Sequence, residues 1–285
     1  MIRLLTVLLA TVLLAAPVLA AELDGTLKKI KASNTITLGY REDARPFAFT
    51  GDDGKPAGYS VDLCTRIAAS VARQLGLLNL QTKWVKVTPE NRISSVVNGT
   101  VDLECGSTTA SLSRQELVDF SLMTFIDGGS LLVTDVSGIR DVTTLAGKKV
   151  AVVPGTTTEK ALTAVLAKRS IKANVVSVKD HAEGIAALDN RTIDAYASDR
   201  TLLIGMGRTS KSPEKLSLIE EFFSYEPHGF VLKRGDAAFR LSVNRALASM
   251  YRSGEVGPIF EKYFGSMTTA GPTIVGMYLL NGLPE

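Results

Sequence analysis

Apolar and polar residues alternate over Thr35–Tyr40, the period of a half-buried strand, and the chain then runs directly into the polar stretch 41–47. From Tyr59 the period changes. Val61, Cys64, Ile67, Ala68, Val71 and Leu75 fall on one face of a helix that Gly76 ends. Residues 80–87 read as a second strand, Pro89 to Arg92 open a short helix closed by Asn98-Gly99, and 101–105 form a strand that stops at Gly106. Residues 128–134 read as a strand leaving this first unit. The following hundred residues repeat the rhythm, with strands at 149–153, 175–178 and 193–197 and helices at about 158–168 and after His181. A returning strand at 229–233 precedes an amphipathic helix at 239–250 and a last short helix at 257–264. Such alternation predicts an α/β fold in which mostly parallel sheets are covered by helices. A chain of 285 residues divides naturally into two lobes. The expected division is 22–132 with 227–285 as lobe 1, and 133–226 as lobe 2.

The polar residues collect at the ends of the predicted strands, where ligands sit in α/β sheets. Ser107, Thr108 and Thr109 form a run of small hydroxyls between a strand and a helix, and Ser113-x-x-Glu116 has the spacing of a capping box. The free N–H groups of a helix start receive anions, and Arg114 adds a planar fork that can take a carboxylate through two hydrogen bonds. A solvated cap with an exposed Arg is the plainer reading of that segment. Thr156 and Glu159 repeat the capping spacing behind Gly155, so Thr157 begins a second helix of the same kind; there too a simple cap suffices. Arg41 and Arg92 stand at strand-to-helix junctions on the edge that Ser107 occupies. His181 and Asp199 each end a predicted strand of the second lobe, and Asp199 could equally be a helix N-cap.

Composition changes this picture in three places. After Arg3 an apolar run reaches Ala16 and small residues follow to Ala21, the pattern of a cleavable export signal over residues 1–21. No later apolar stretch is long enough to span a bilayer, so the mature chain is expected outside the cytoplasm and not inserted in a membrane. The formal charge of +3 falls by one with Arg3, too little to suggest nucleic acid as a partner. Two cysteines, Cys64 and Cys105, suit one disulfide in an oxidising compartment, with a pair of buried thiols as the alternative. Two Cys and two His without ligand spacing make no metal site, and no cofactor motif is present.

The ordered set Gly58-Tyr-Ser-Val-Asp62, Asn91-Arg-Ile93, Asn98-Gly-Thr-Val-Asp102, the whole of 104–121, Gly155-Thr-Thr157, Lys179-Asp-His181 and Ser253-Gly254 resembles the family 3 solute-binding proteins of polar amino-acid ABC importers. Within that family the likeness is to periplasmic glutamate/aspartate-binding members. It implies two lobes joined by two crossing segments that close on an amino acid. Arg114 and Thr109 would hold the α-carboxylate, Ser107 and Asp199 the α-ammonium, and Thr157 would add a contact from the second lobe. A side-chain carboxylate would lie against Arg41, Arg92 and His181, with the imidazole charged by that neighbour. Pro89 departs from the pattern, standing where a serine donor is usual. The resemblance further implies a periplasmic monomer whose partners are an acidic amino acid and a membrane permease. A neutral ligand such as glutamine would leave buried charges unpaired, and a dehydratase on the same scaffold would need an acid or base that the motifs do not supply.

Overall fold

The computed structural model describes residues 23–267 and 270–285; the predicted export signal lies outside the described residues. The chain starts with α1 (Gly25–Ser33) and β1 (Thr35–Tyr40), then makes a small three-stranded sheet from β2 (Asp43–Ala44), β3 (Ala48–Thr50) and β4 (Pro56–Ala57). Next come α2 (Tyr59–Leu75), β5 (Gln81–Lys86), α3 (Arg92–Val97), β6 (Leu103–Glu104), α4 (Leu112–Gln115) and β7 (Val118–Asp127). A second series follows: β8 (Gly129–Thr134), β9 (Lys149–Val152), α5 (Thr157–Lys168), β10 (Asn174–Ser177), α6 (His181–Asp189), β11 (Ala195–Asp199), α7 (Arg200–Gly207) and β12 (Leu216–Leu218). The chain ends with β13 (Glu226–Lys233), α8 (Ala237–Ser253), α9 (Val256–Phe264) and α10 (Pro272–Asn281).

Two five-stranded sheets form the two lobes, ordered β5-β1-β6-β13-β7 and β10-β9-β11-β8-β12. Both have the same plan: three parallel strands, then one that runs against them, then an edge strand antiparallel to that one. In each sheet the reversed strand is the one that has just arrived from the other lobe. β8 follows β7 across a single intervening residue, and β13 returns after β12. The two crossings run side by side, since Asp127 at the end of β7 pairs with Glu226 at the start of β13. A ligand site between the lobes is therefore bordered by the ends of both crossing strands.

The period of α2 puts Leu63, Cys64, Ile67, Ala68 and Val71 against the first sheet, all of them buried. The second lobe closes its own core with Leu131, Val133, Val150, Val152, Leu162 and Ala195. Cys64 and Cys105 are joined, with their Cα atoms 6.2 Å apart. This bond and a hydrogen bond from Ser60 Oγ to the Gly106 carbonyl (2.9 Å) tie α2 to the segment that carries the hydroxyl run.

The structure corrects one local expectation and adds two elements that the sequence reading left unassigned. Ser111, not Ser113, caps α4, its Oγ accepting from Arg114 N, and Glu116 lies past the helix end. The second predicted capping site holds, since Thr156 accepts from Glu159 N. The segment 118–127 is a ten-residue strand at the sheet edge beside β13, and its alternation is obscured in sequence by partly buried residues on both faces. Residues past 264 form α10, whose apolar residues run consecutively and show no amphipathic period. Tyr278 fastens it, with its hydroxyl 2.7 Å from that of Tyr59. No described helix is long and apolar enough to cross a membrane.

The disulfide closes a loop of 41 residues. Replacing both cysteines by alanine is expected to lower the unfolding free energy by about 4 kcal/mol in the chain-entropy picture, read as a lower urea midpoint. An unchanged midpoint would show that the bond does not constrain the unfolded chain.

Candidate ligand-binding cleft

Three arginines that lie far apart in sequence meet in the cleft between the lobes. Arg41 follows β1, Arg92 is the first residue of α3 and Arg114 the third of α4; Arg41 and Arg92 are 3% and 4% exposed. Only Arg41 has a carboxylate partner, Asp43 at 2.8 Å; among the described residues Arg92 and Arg114 form no ion pair. Burial, the repulsion of Arg114 and that of Arg41 push Arg92 down to about 9, against the attraction of Glu104 and Asp199. Burial also lowers Arg114. A guanidinium shifted as far as that of Arg92 is held where water does not solvate it. Its Nε has no hydrogen-bond partner among the described residues.

The hydroxyl run sits beneath these charges. β6 carries Glu104, fully buried, whose Oε2 accepts from Thr108 Oγ1 at 2.7 Å and whose Oε1 is unpartnered. Its side chain folds back over Gly106, where a Cβ would stand 2.3 Å from Oε1, so the strand ends in glycine for lack of room. Burial raises the Glu104 carboxyl above its ordinary range. Ser107 and Thr109 are each 5% exposed. Arg114 Nη1 donates to the Thr109 carbonyl (2.9 Å) and Nη2 reaches across to the Gly155 carbonyl of the second lobe (3.4 Å). Thr109 Oγ1 and Thr157 Oγ1, from opposite lobes, both donate to Glu226 Oε2 at 2.6 Å. Pro89 is buried, and its flanking residues Thr88 and Asn91 close the start of α3 by exchanging backbone-to-side-chain hydrogen bonds.

From the second lobe come His181 and Asp199. His181 opens α6, and its backbone N–H donates to Asp43 Oδ2 at 2.9 Å, a further bond between lobes. The resemblance implied an imidazole charged by the side-chain carboxylate of a ligand; the protein's own groups act in the opposite direction. Burial and Arg41 together outweigh Asp43 and Asp199 and bring the ring down to about 4. Asp199 stands at the N-cap position of α7, but its side chain does not cap the helix. Its oxygens instead meet Thr158 Oγ1 at 3.0 Å and His228 Nε2 at 2.9 Å. Burial works to raise Asp199, yet His228 and the Thr158 hydroxyl hold it below the usual carboxylate range. The helix start is met by Asp127 from the crossing strand, which accepts from Thr201 N. Burial and the nearby Asp199 raise Asp127 to about 6.

Arg41, Arg92, Arg114, His181 and Asp199 thus interact electrostatically and Thr109 and Thr157 share Glu226, while Ser107 is buried near Thr109 in the chain. Sequence reasoning missed Asp43, Glu104, Asp127, Tyr196, Glu226 and His228. The readable signal for the last two was an acid and a histidine inside the otherwise apolar strand Glu226–Lys233. Ligand atoms of Asp127, Asp199 and His228 lie within 4.8 Å of one another. That trio is already joined by the Asp199–His228 bond and by two backbone N–H groups on Asp127, so its lone pairs are largely engaged within the protein. The cleft as a whole offers two guanidinium groups that form no ion pair among the described residues, Arg92 buried and Arg114 half-buried, together with hydroxyls from both lobes and the carboxylate of Asp199. It can hold a small ligand with more negative than positive charge.

The chain spans most of several known proteins. It is 42% identical over 246 residues to the L-glutamate/L-aspartate-binding protein of Pseudomonas aeruginosa, covering 86% of this chain and 82% of that one. It is 34% identical over 239 residues to a glutamate/aspartate import solute-binding protein of Salmonella typhimurium, covering 84% and 79%. Among solved structures, an ancestral arginine-binding protein bound to glutamine superposes with a TM-score of 0.73 at 26% identity, over 82% of this chain and 99% of that one. An ancestral amino-acid-binding protein described as a precursor of cyclohexadienyl dehydratase gives 0.74 at 25% identity, over 84% and 100%. Residues 36–266 match the family model for bacterial extracellular solute-binding proteins, family 3, and the chain belongs to that family.

Proposed function

We propose that this protein is the extracytoplasmic substrate-binding subunit of an ABC importer, that it captures glutamate or aspartate between its lobes, and that the closed complex is what the membrane permease receives. The observation that carries this reading is the pair Arg92, buried, and Arg114, half-buried, which share one cleft and form no ion pair among the described residues. A dicarboxylate supplies what they lack. Arg114 with Thr109 takes one carboxylate in this scheme, Arg92 with Arg41 and His181 the other, while Asp199 and Ser107 face the ammonium. Thr157 adds the contact from the second lobe. The named relatives that bind glutamate and aspartate support the choice of ligand.

Closure follows from the same contacts. Arg114 to Gly155, His181 to Asp43 and Thr157 to the Thr109–Glu226 pair all join groups carried by different lobes. A ligand that touches both sides favours the closed arrangement by its difference in contacts between the two states. A neutral side chain such as that of glutamine would leave Arg92 desolvated and unpaired, which costs several kcal/mol.

Glutamate or aspartate at a hundred times its dissociation constant is expected to stabilise the fold by about 2.7 kcal/mol, seen as a rise in melting temperature that glutamine does not produce at the same concentration. A shift with glutamine alone would remove the acidic specificity. Arg92→Met is expected to weaken glutamate binding by about 3 kcal/mol, roughly a hundredfold in calorimetry, and to leave the ligand-free protein at least as stable, because an uncompensated buried charge is removed. His181 provides a pH readout. Its folded value of about 4 lies below the ordinary 6.5, so the unfolded chain takes up the proton first and stability falls as pH drops from 6.5 to 4. His181→Gln should flatten this part of the stability profile by about 3 kcal/mol; an unaltered profile would place the imidazole in solvent.

A further inference from the structure

One buried pair in the cleft has a bond that the binding scheme above does not use. Tyr196, on β11, is fully buried, and its hydroxyl stands 2.5 Å from Nδ1 of His181. A phenol and a neutral imidazole can share that bond in two ways. If Nδ1–H donated, the phenol proton would need a further acceptor, and the Tyr196 hydroxyl has none among the described residues; Nε2 has no partner there in either arrangement and does not decide between them. If the phenol donates, its proton is satisfied and the imidazole proton must sit on Nε2. A buried polar group left unmade is costly, so the second arrangement is favoured. The phenol is also held well above its ordinary range by burial, so it keeps the proton it would donate.

The backbone is shaped to allow this approach. Gly184 lies one turn along α6 from His181, and a Cβ there would stand 2.6 to 2.9 Å from the ring carbons of Tyr196. Any side chain would push the ring off the helix and move the hydroxyl from His181. A glycine inside a helix weakens it relative to alanine, and the space it leaves is filled by the tyrosine ring.

We propose that Tyr196 is a positioning residue of the cleft, which donates to Nδ1 of His181, locks the imidazole in the tautomer protonated on Nε2, and so presents a neutral N–H donor to the side-chain carboxylate of the ligand. The identity of that ligand rests on the function proposed above; the tautomer does not. The groups that bear on the ring are Arg41 and Arg92, which repel a second proton, and Asp43 and Asp199, which attract one. With the ring neutral, the carboxylate gains a hydrogen bond and the two guanidinium groups gain no like-charged neighbour.

The test is a two-bond proton–nitrogen correlation spectrum of uniformly 15N-labelled protein at pH 7, with and without glutamate. His181→Gln removes one of the two histidine signal sets and so assigns it. The expected result is a pyridine-type Nδ1 and a pyrrole-type Nε2 for His181 in both samples. In Tyr196→Phe the tautomers should mix, and glutamate affinity should fall about tenfold. A pyrrole-type Nδ1 in the wild-type protein overturns the proposal, as does a Tyr196→Phe protein with the same tautomer and the same affinity. Should Tyr196→Phe fail to fold, the wild-type spectrum decides alone. Failure of glutamate to bind the wild-type protein would refute the ligand assignment, while the nitrogen shifts would still establish or overturn the tautomer.

Discussion

Like charges held together out of water dominate this molecule. Arg41, Arg92 and Arg114 sit near enough that each of the first and last depresses the guanidinium between them, and only Arg41 has its own carboxylate. The protein counters with Glu104 and Asp199, but burial lifts Glu104 and His228 occupies one oxygen of Asp199. The compensation is therefore incomplete in a place where an unpaired charge is expensive. A fold that keeps such an arrangement has a use for it, and the use consistent with a family of solute-binding proteins is to reserve the missing charge for the ligand.

The architecture makes that reserve possible. Each of the three arginines follows a different strand of the first lobe, Arg41 after β1, Arg92 after β5 and Arg114 after β6, and these parallel strands bring them to one edge. Reversal of the arriving strand in each sheet then puts Asp127 and Glu226 at the boundary between lobes, where they reach α7 and the two threonines. His228 is held between Phe47 and Phe125, at centroid distances of 5.1 and 6.1 Å, and so keeps Asp199 oriented. The crossing strands thus bring Asp127, Glu226 and His228 to the boundary between the lobes. In the proposed scheme closure and recognition draw on the same hydrogen bonds, which would let a small ligand alter the relation of two lobes.

Neutral and charged donors divide the work in the cleft. The guanidinium groups supply charge, which attracts an acid over a range of approach. The hydroxyls and the uncharged imidazole supply direction without adding to the repulsion. Glu226 holds the protons of Thr109 and Thr157 in the closed arrangement, so each hydroxyl must turn from it to donate to a ligand carboxylate. The relatives named for glutamate and aspartate and the neighbours that bind arginine or glutamine share this scaffold, and selectivity among them must reside in side chains such as these.

Much was legible in the chain itself. Period and punctuation located β1, α2 and the βα alternation of the second lobe, because each of those elements buries one face and the pattern of one face is written locally. The cap at Thr156 could be read for the same reason: its partner, Glu159, is three residues away. The arginines, the hydroxyl run, His181 and Asp199 could be singled out by their positions at strand ends. Sequence could not supply their partners. Asp43 meets His181 across 138 residues, Thr109 meets Glu226 across 117, and no spacing rule spans such distances. The environment of His181 was likewise beyond the sequence: only the packed surroundings showed that burial and Arg41 outweigh Asp43 and Asp199. By itself the sequence determined which residues could bind and on which elements they lie, since those depend on neighbours along the chain. Tertiary structure alone decided which of them are buried, paired or left in need of a partner, because desolvation is a property of what surrounds a group in space.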